Sequence, residues 1–332
     1  MSGLLDLLRP PPHRGPLIAA GAVLVTVGVA LEELRLDDEL PTGVHLLLLA
    51  LAAGVIYALG VQVRQEGRPY AFQSVLLVCG LLLMYPALLT LADVLGADFD
   101  DFPAGAFVWT SLLLAGAALW PAVERSSSIC ALIAALALGV AALSFVNWTF
   151  DATSSTTYRW LLALCALGYV LVSLRLRGTE PRHSEQMANA AGLAILALAL
   201  TGVLPALLDF VTPFGGDPDE ILPDGWELVV FAAGCGLVAY GAVDRAPGPC
   251  YLGVANLLAF VGSAGIGSED DTLYYWPLLI LTLGIGVLIA GLRPRSPLPP
   301  EPNPYKTGSV PLASRTGEDE PVLRVRDDSP PS

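Results

Sequence analysis

Two aspartates offer the clearest opening for chemistry in this chain. Asp93 closes "PALLTLAD" (86–93) and Asp209 falls in "LPALLDF" (204–210). Each follows a Pro-Ala-Leu-Leu at the end of a long apolar run. A proline inside a helix removes one backbone donor, bends the helix and frees a carbonyl. Pro86 and Pro205 are therefore expected to mark helix kinks. A carboxylate beside freed carbonyls can hold a proton or Na⁺, which makes Asp93 and Asp209 the candidate ion-coupling residues. The plainer role for the same pair is an acid in water at a membrane surface, above a proline that shapes the helix.

Other constellations exclude more than they offer. Cys79, Cys130, Cys165, Cys235 and Cys250 stand singly, with no CxxC or CxxCH, and are expected to be small buried apolar residues. His13, His45 and His183 are too few and too scattered for paired haem ligation or an HExxH zinc site. Gly262-Ser263-Ala264-Gly265 has no His or Lys partner at depth for an intramembrane serine protease. No phosphate-binding loop occurs, and basic residues are too sparse for nucleic acid to be a partner. No catalytic, cofactor-binding or metal-binding residue is assigned, and the chain is not expected to be an enzyme. Asn147 and Asn256 are expected to hydrogen-bond between helices. Asn147-Trp148-Thr149 matches a glycosylation sequon too close to the membrane to be used.

The elements that must carry these residues follow from hydropathy. Of 332 residues, 54% are hydrophobic and 14% charged, with a mean hydropathy of +0.63. The apolar residues come in blocks of membrane-crossing length, roughly 16–31, 43–63, 73–94, 104–123, 128–147, 158–175, 188–210, 228–243, 250–267 and 274–292. Lipid offers the backbone no hydrogen-bond partner, so each block must be helical. The expected fold is all-α: a polytopic transmembrane helical bundle of about ten spans over 16–292. Abundant Gly and Ala would let its helices approach closely.

An even number of spans puts both termini on one side. With the N-terminus cytoplasmic, 15 of the 17 basic residues fall inside, all but Arg35 and Arg159. That agreement with the positive-inside rule predicts an N-in, C-in protein of a bacterial plasma membrane. Nineteen of the 31 acids then face outward, and "LEELRLDDEL" (31–40) becomes the first outer loop. Arg9, Arg14 and Gly28-Val29-Ala30 resemble a signal peptide, but the apolar run continues without a polar spacer, so a retained span is expected.

Residues 1–15 form a short cytoplasmic lead. Residues 293–332, with ten prolines and no apolar run, should be a disordered cytoplasmic tail. "PVLRVRDD" (321–328) within it is a segment that could dock on a cytoplasmic protein partner. The loop "TPFGGDPDEILPDGWE" (212–227) is turn-rich and too short for a soluble domain. "GVQVRQEGRPYAFQSVLL" (60–77) echoes "GAVDRAPGPCYLGVANLL" (241–258) at constant offset. Duplication and convergence both account for the echo. Under convergence, Arg64 and Arg245 anchor inner turns while Tyr70 and Tyr251 sit at the interface.

The opening pattern runs "AAGAVLVTVGVALEELRLDDEL", then "HLLLLALAAGVIYALGVQVRQEGRPYAFQSVLLVCGLLL": Gly-rich span, acidic loop, Leu-rich span, Arg turn, Leu-rich span. In this texture it resembles the uncharacterised multispan integral membrane proteins of high-GC bacteria. The resemblance implies no activity and carries over no catalytic residue. The span count also fits drug and metabolite exporters, without their five-plus-five repeat. Three functions are weighed: a small-solute or ion permease, a non-catalytic scaffold recruiting a partner through 293–332, and a glycosyltransferase using lipid-linked sugars. The last would place Glu32-Glu33 or Asp37-Asp38 in its first outer loop, which here is only about eleven residues long.

Overall fold

A computed structural model of the chain describes residues 15–36, 41–61, 71–97, 99, 103–150, 154–211, 222, 224–266, 282 and 285. The chain divides into 1–268 and 269–332. Every regular element in the first unit's described residues is a helix. They are α1 (Gly15–Leu36), α2 (Thr42–Val61), α3 (Ala71–Val94), α4 (Ala104–Glu124), α5 (Ser128–Phe150), α6 (Ser155–Leu176), α7 (Pro181–Val211), α8 (Asp224–Asp244) and α9 (Pro247–Ile266). They coincide with the first nine apolar blocks. The tenth block, 274–292, lies outside the described residues except Thr282 and Ile285. Residues 1–14 and the tail 293–332 lie outside them altogether.

Six of these helices are long and apolar enough to cross a membrane among the described residues: α2 to α6, and α8 from Gly225. Leu113, Leu119, Leu164 and Leu171 point outward, each more than half exposed. Large side chains spread this widely over the outside are what a lipid solvent permits and water does not. Among the described residues the chain is thus an all-helical membrane protein.

Helix ends follow local chemistry. α1 runs on to Leu36, so the acidic burst begins inside a helix rather than in a loop. Leu, Glu and Arg are strong helix formers, and nothing in "LEELRL" stops the helix. α3 ends in a Schellman turn. Gly96 takes φ +92, its N–H donates to Asp93 O at 2.8 Å, and Ala97 N donates to Ala92 O at 2.9 Å. α6 starts on Ser154, whose Oγ accepts from Thr157 N. α7 begins at Pro181, suited to a first turn where no donor is needed.

Helices consecutive in the chain pair as hairpins, α2 with α3, α4 with α5, α6 with α7 and α8 with α9. α5 joins the groups, packing on α3 and α4 and also on α6 and α7. Its inward residues Ala131, Ala134, Ala135, Ala137 and Ala141 are small enough to admit neighbours on every side. Two tyrosines bind across this centre. Pro121 inside α4 leaves the Ala117 carbonyl without its helical donor, and Tyr57 Oη of α2 supplies one at 2.6 Å. Tyr169 of α6 donates to the Ala135 carbonyl of α5, through space that Gly139 leaves open.

The turns joining α4 to α5, α6 to α7 and α8 to α9 gather at one end of the bundle. His183 Nε2 lies 3.2 Å from Ala122 O, and Arg177 pairs with Asp244. This end carries Arg125, Arg177, Arg182 and Arg245. Asp93 and Arg159 lie toward the opposite end.

Candidate functional site

Asp93 and Asp209 stand on helices without a shared packed interface. The neighbours of α3 are α1, α2, α4 and α5, whereas those of α7 are α5, α6, α8 and α9. Asp93 is exposed at the last turn of α3. Pro86 lies inside the same helix and frees the Leu82 carbonyl, about 16 Å away along the axis at 1.5 Å per residue. The freed carbonyl and the carboxylate are therefore not neighbours. Thr90 Oγ1 instead donates to Pro86 O at 3.0 Å. Pro205 and Asp209 both fall within the backbone of α7, and their side chains lie outside the described residues.

A cavity opens at the end of α3, lined by Ala92, the residue before Asp93. It has a volume of about 620 Å³ and lies where the end of α3, the start of α4 and the end of α5 meet. The Schellman turn at Gly96 forms one wall, Pro103 and Gly105 a second, and Trp109, Asn147 and Trp148 the rest. Gly105 lets the Trp148 indole lie close, since a Cβ there would stand 3.3 Å from Trp148 Nε1. Two indoles and one carboxamide give the cavity flat apolar faces with donors and an acceptor among them. Such a lining suits a small solute with both polar and apolar parts. Asn147, expected to bond between helices, instead lines this hollow.

Asn256 matches its expected role. It is fully buried, and its Nδ2 donates across to Gly192 O of α7 at 3.1 Å and to Leu252 O in its own helix at 2.8 Å. Arg245 is exposed at the α8–α9 turn, with Tyr251 75% exposed one turn into α9. Arg64 and Tyr70 lie outside the described residues. All five cysteines are free; Cys79 and Cys130 are buried as expected, but Cys235 is exposed. A thiol behaves as a small hydrophobe, and lipid accepts it outward as readily as the core does inward. Among the described residues, no three His, Cys, Asp or Glu side chains group as metal ligands.

Arg159 is the feature that sequence reasoning missed. It is only 3% exposed, one turn into α6, and its Nε donates to Thr201 Oγ1 of α7 at 3.1 Å. Thr201 in turn donates to Leu198 O at 2.7 Å. A buried guanidinium is costly and points to function or to a specific helix clasp. The signal was present: Arg159 is one of two cations breaking the sidedness pattern. No protein-family model, curated protein or solved structure matches this chain.

Proposed function

We propose that this chain is a small-solute permease of a bacterial plasma membrane, with ten spans and both termini cytoplasmic, akin in texture to the multispan proteins of high-GC bacteria. The observation that carries this reading is the cavity between α3, α4 and α5, lined by Trp109, Asn147 and Trp148. It opens at the acid-bearing end, so the solute enters from outside. The indole faces hold its apolar part and Asn147 its polar part. Asp93, one residue from the lining Ala92, is the group through which an ion or proton couples to transport.

Flux of radiolabelled solute mixtures into proteoliposomes tests this. Asn147→Ala and Trp148→Ala are expected to reduce uptake at least tenfold, the effect of removing about 1.4 kcal/mol of recognition. Asp93→Asn is expected to leave exchange intact and abolish uphill accumulation. Wild-type flux in both cavity variants would sink the proposal.

A further inference from the structure

The arginine-bearing end carries a second hollow, of about 330 Å³, where α6, α7 and the α8–α9 turn meet. Its lining is charged: Arg177, Arg182, Glu185 and Asp244, with Ser184 and Tyr240 beside them. Arg177 donates through Nη2 to Asp244 Oδ1, and its guanidinium stands over the Tyr240 ring, 5.6 Å from the centroid. The Asp244 carboxylate holds the Arg177 guanidinium above its ordinary value, so it stays a cation at any physiological pH. Tyr240 is fixed in turn, with Oη 3.0 Å from Ser184 Oγ. Ser184 Oγ donates to Ser173 O at 2.8 Å, so the proton shared with Tyr240 comes from the tyrosine. Ser173 Oγ returns a bond to Ser184 O, also at 2.8 Å. The hollow is thus a framework held from three helices.

The charges of the framework select its ligand. The pair with Asp244 occupies one of the guanidinium's N–H groups and one carboxylate oxygen. Further donors of Arg177 and Oδ2 of Asp244 remain for a ligand. A purely anionic ligand would meet Asp244 and Glu185 at short range, and a purely cationic one Arg177 and Arg182. A ligand carrying both signs meets neither penalty. Guanidinium groups match phosphate oxygens in a fork, and an ammonium presents three donors to carboxylates. The site also lies at helix ends, and Val243, next to the lining Asp244, is exposed; the ends of membrane-spanning helices are where headgroups meet protein.

We propose that this hollow binds a zwitterion joining a phosphate to a primary ammonium, as in the phosphoethanolamine headgroup of a membrane lipid. The phosphate sits on Arg177 and Arg182, and the ammonium sits between Asp244 and Glu185. Such a ligand ties the α6–α7 hairpin to the α8–α9 turn through both of its charges.

Native mass spectrometry of the full chain in detergent tests this, with equimolar phosphatidylethanolamine, phosphatidylcholine and phosphatidylglycerol of identical acyl chains. The first lipid has the full chemistry. The second lacks ammonium N–H groups, and the third lacks the cation. The ethanolamine lipid is expected to be retained about tenfold over both others. Arg182→Gln and Glu185→Gln are expected to remove that preference. Equal retention of the ethanolamine and choline lipids by the wild-type chain, which needs no variant to fold, would overturn the assignment. Preference for phosphatidylglycerol would overturn it too. Millimolar soluble phosphoethanolamine distinguishes the source: an adduct that persists assigns the site to lipid, and one that is displaced assigns it to a soluble zwitterion.

Discussion

The hairpins α2/α3 and α8/α9 share the echoed stretch of sequence, yet they are buried differently. Gly60 and Gly241 correspond, as do Leu77 and Leu258. Leu77 is fully buried, whereas Leu258 is 67% exposed. The reason is neighbourhood. α3 is enclosed by α1, α2, α4 and α5, while α9 packs mainly on α7 and α8 and turns a face outward. The α8/α9 connection is only Arg245 and Ala246, and Gly241 lies so close to α9 that a Cβ would stand 2.8 Å from Cys250 N. The three atoms nearest a Cβ on Gly60 belong to the side chains of Leu76 and Leu77. Matching letters in membrane helices do not fix a residue's job, which is set by which helix arrives beside it.

The largest test of this difference concerns where each seam closes. In α2/α3 the backbones approach closely at Gly80, where a Cβ would stand 2.8 Å from Tyr57 N. In α8/α9 they do so at Gly253, where a Cβ would stand 2.8 Å from both Gly234 O and Val238 N. Backbone cannot step aside as a flexible side chain can. Gly80→Leu and Gly253→Leu are each expected to cost about 3 kcal/mol or more, beyond ordinary overpacking. Gly54→Leu, on the exposed face of α2 with nothing within 4 Å, is expected to change stability by about 0.5 kcal/mol or less. Thermal unfolding in detergent reads all three. A Gly253→Leu melt matching that of Gly54→Leu would remove the α8/α9 seam as described.

The second test concerns how each region accommodates proline. Pro247 and Pro249 fall in the first turn of α9, where the missing N–H groups would have had no helical acceptor anyway. Pro121 falls in the last turn of α4 and strips the Ala117 carbonyl of its donor, which Tyr57 from α2 replaces. Tyr57→Phe is therefore expected to destabilise by about 1 kcal/mol. In a Pro121→Ala background the helix supplies its own donor, and the same change is expected to cost about half as much or less. Additive losses in the double-mutant cycle would show that Tyr57 acts through packing alone.

How much of this was legible in the sequence depends on range. Nine apolar blocks became helices because lipid admits little else, and their ends missed only where local chemistry prolonged them. α1 continues through Glu32 and Glu33, and α7 starts on Pro181 with a polar turn before the apolar run. The hollow at Trp109, Asn147 and Trp148 was not legible, since it depends on three helix ends meeting. Pro121 and Tyr57 are 64 residues apart, and hydropathy says nothing about such a pair. Arg159 was visible as an exception to a pattern; its burial against Thr201 was not.

The smallest effect lies in the α8–α9 turn itself. Arg245 takes φ +54 and Ala246 N donates to Gly241 O at 3.0 Å, the bonding of a Schellman turn. Gly96 occupies the same position at the end of α3, where it carries no Cβ penalty. A non-glycine residue there stores about 1 kcal/mol of strain. Arg245→Gly relieves the strain but gives back part of the gain through the freer unfolded chain, leaving a stabilisation of about 0.5 kcal/mol. Arg245→Ala removes the guanidinium and keeps the strain, so it is expected to show no gain. Should Arg245→Gly and Arg245→Ala destabilise equally, the guanidinium anchors the turn at the interface strongly enough to outweigh its backbone. The echoed arginine would then be retained for charge, against the backbone preference that placed glycine at position 96.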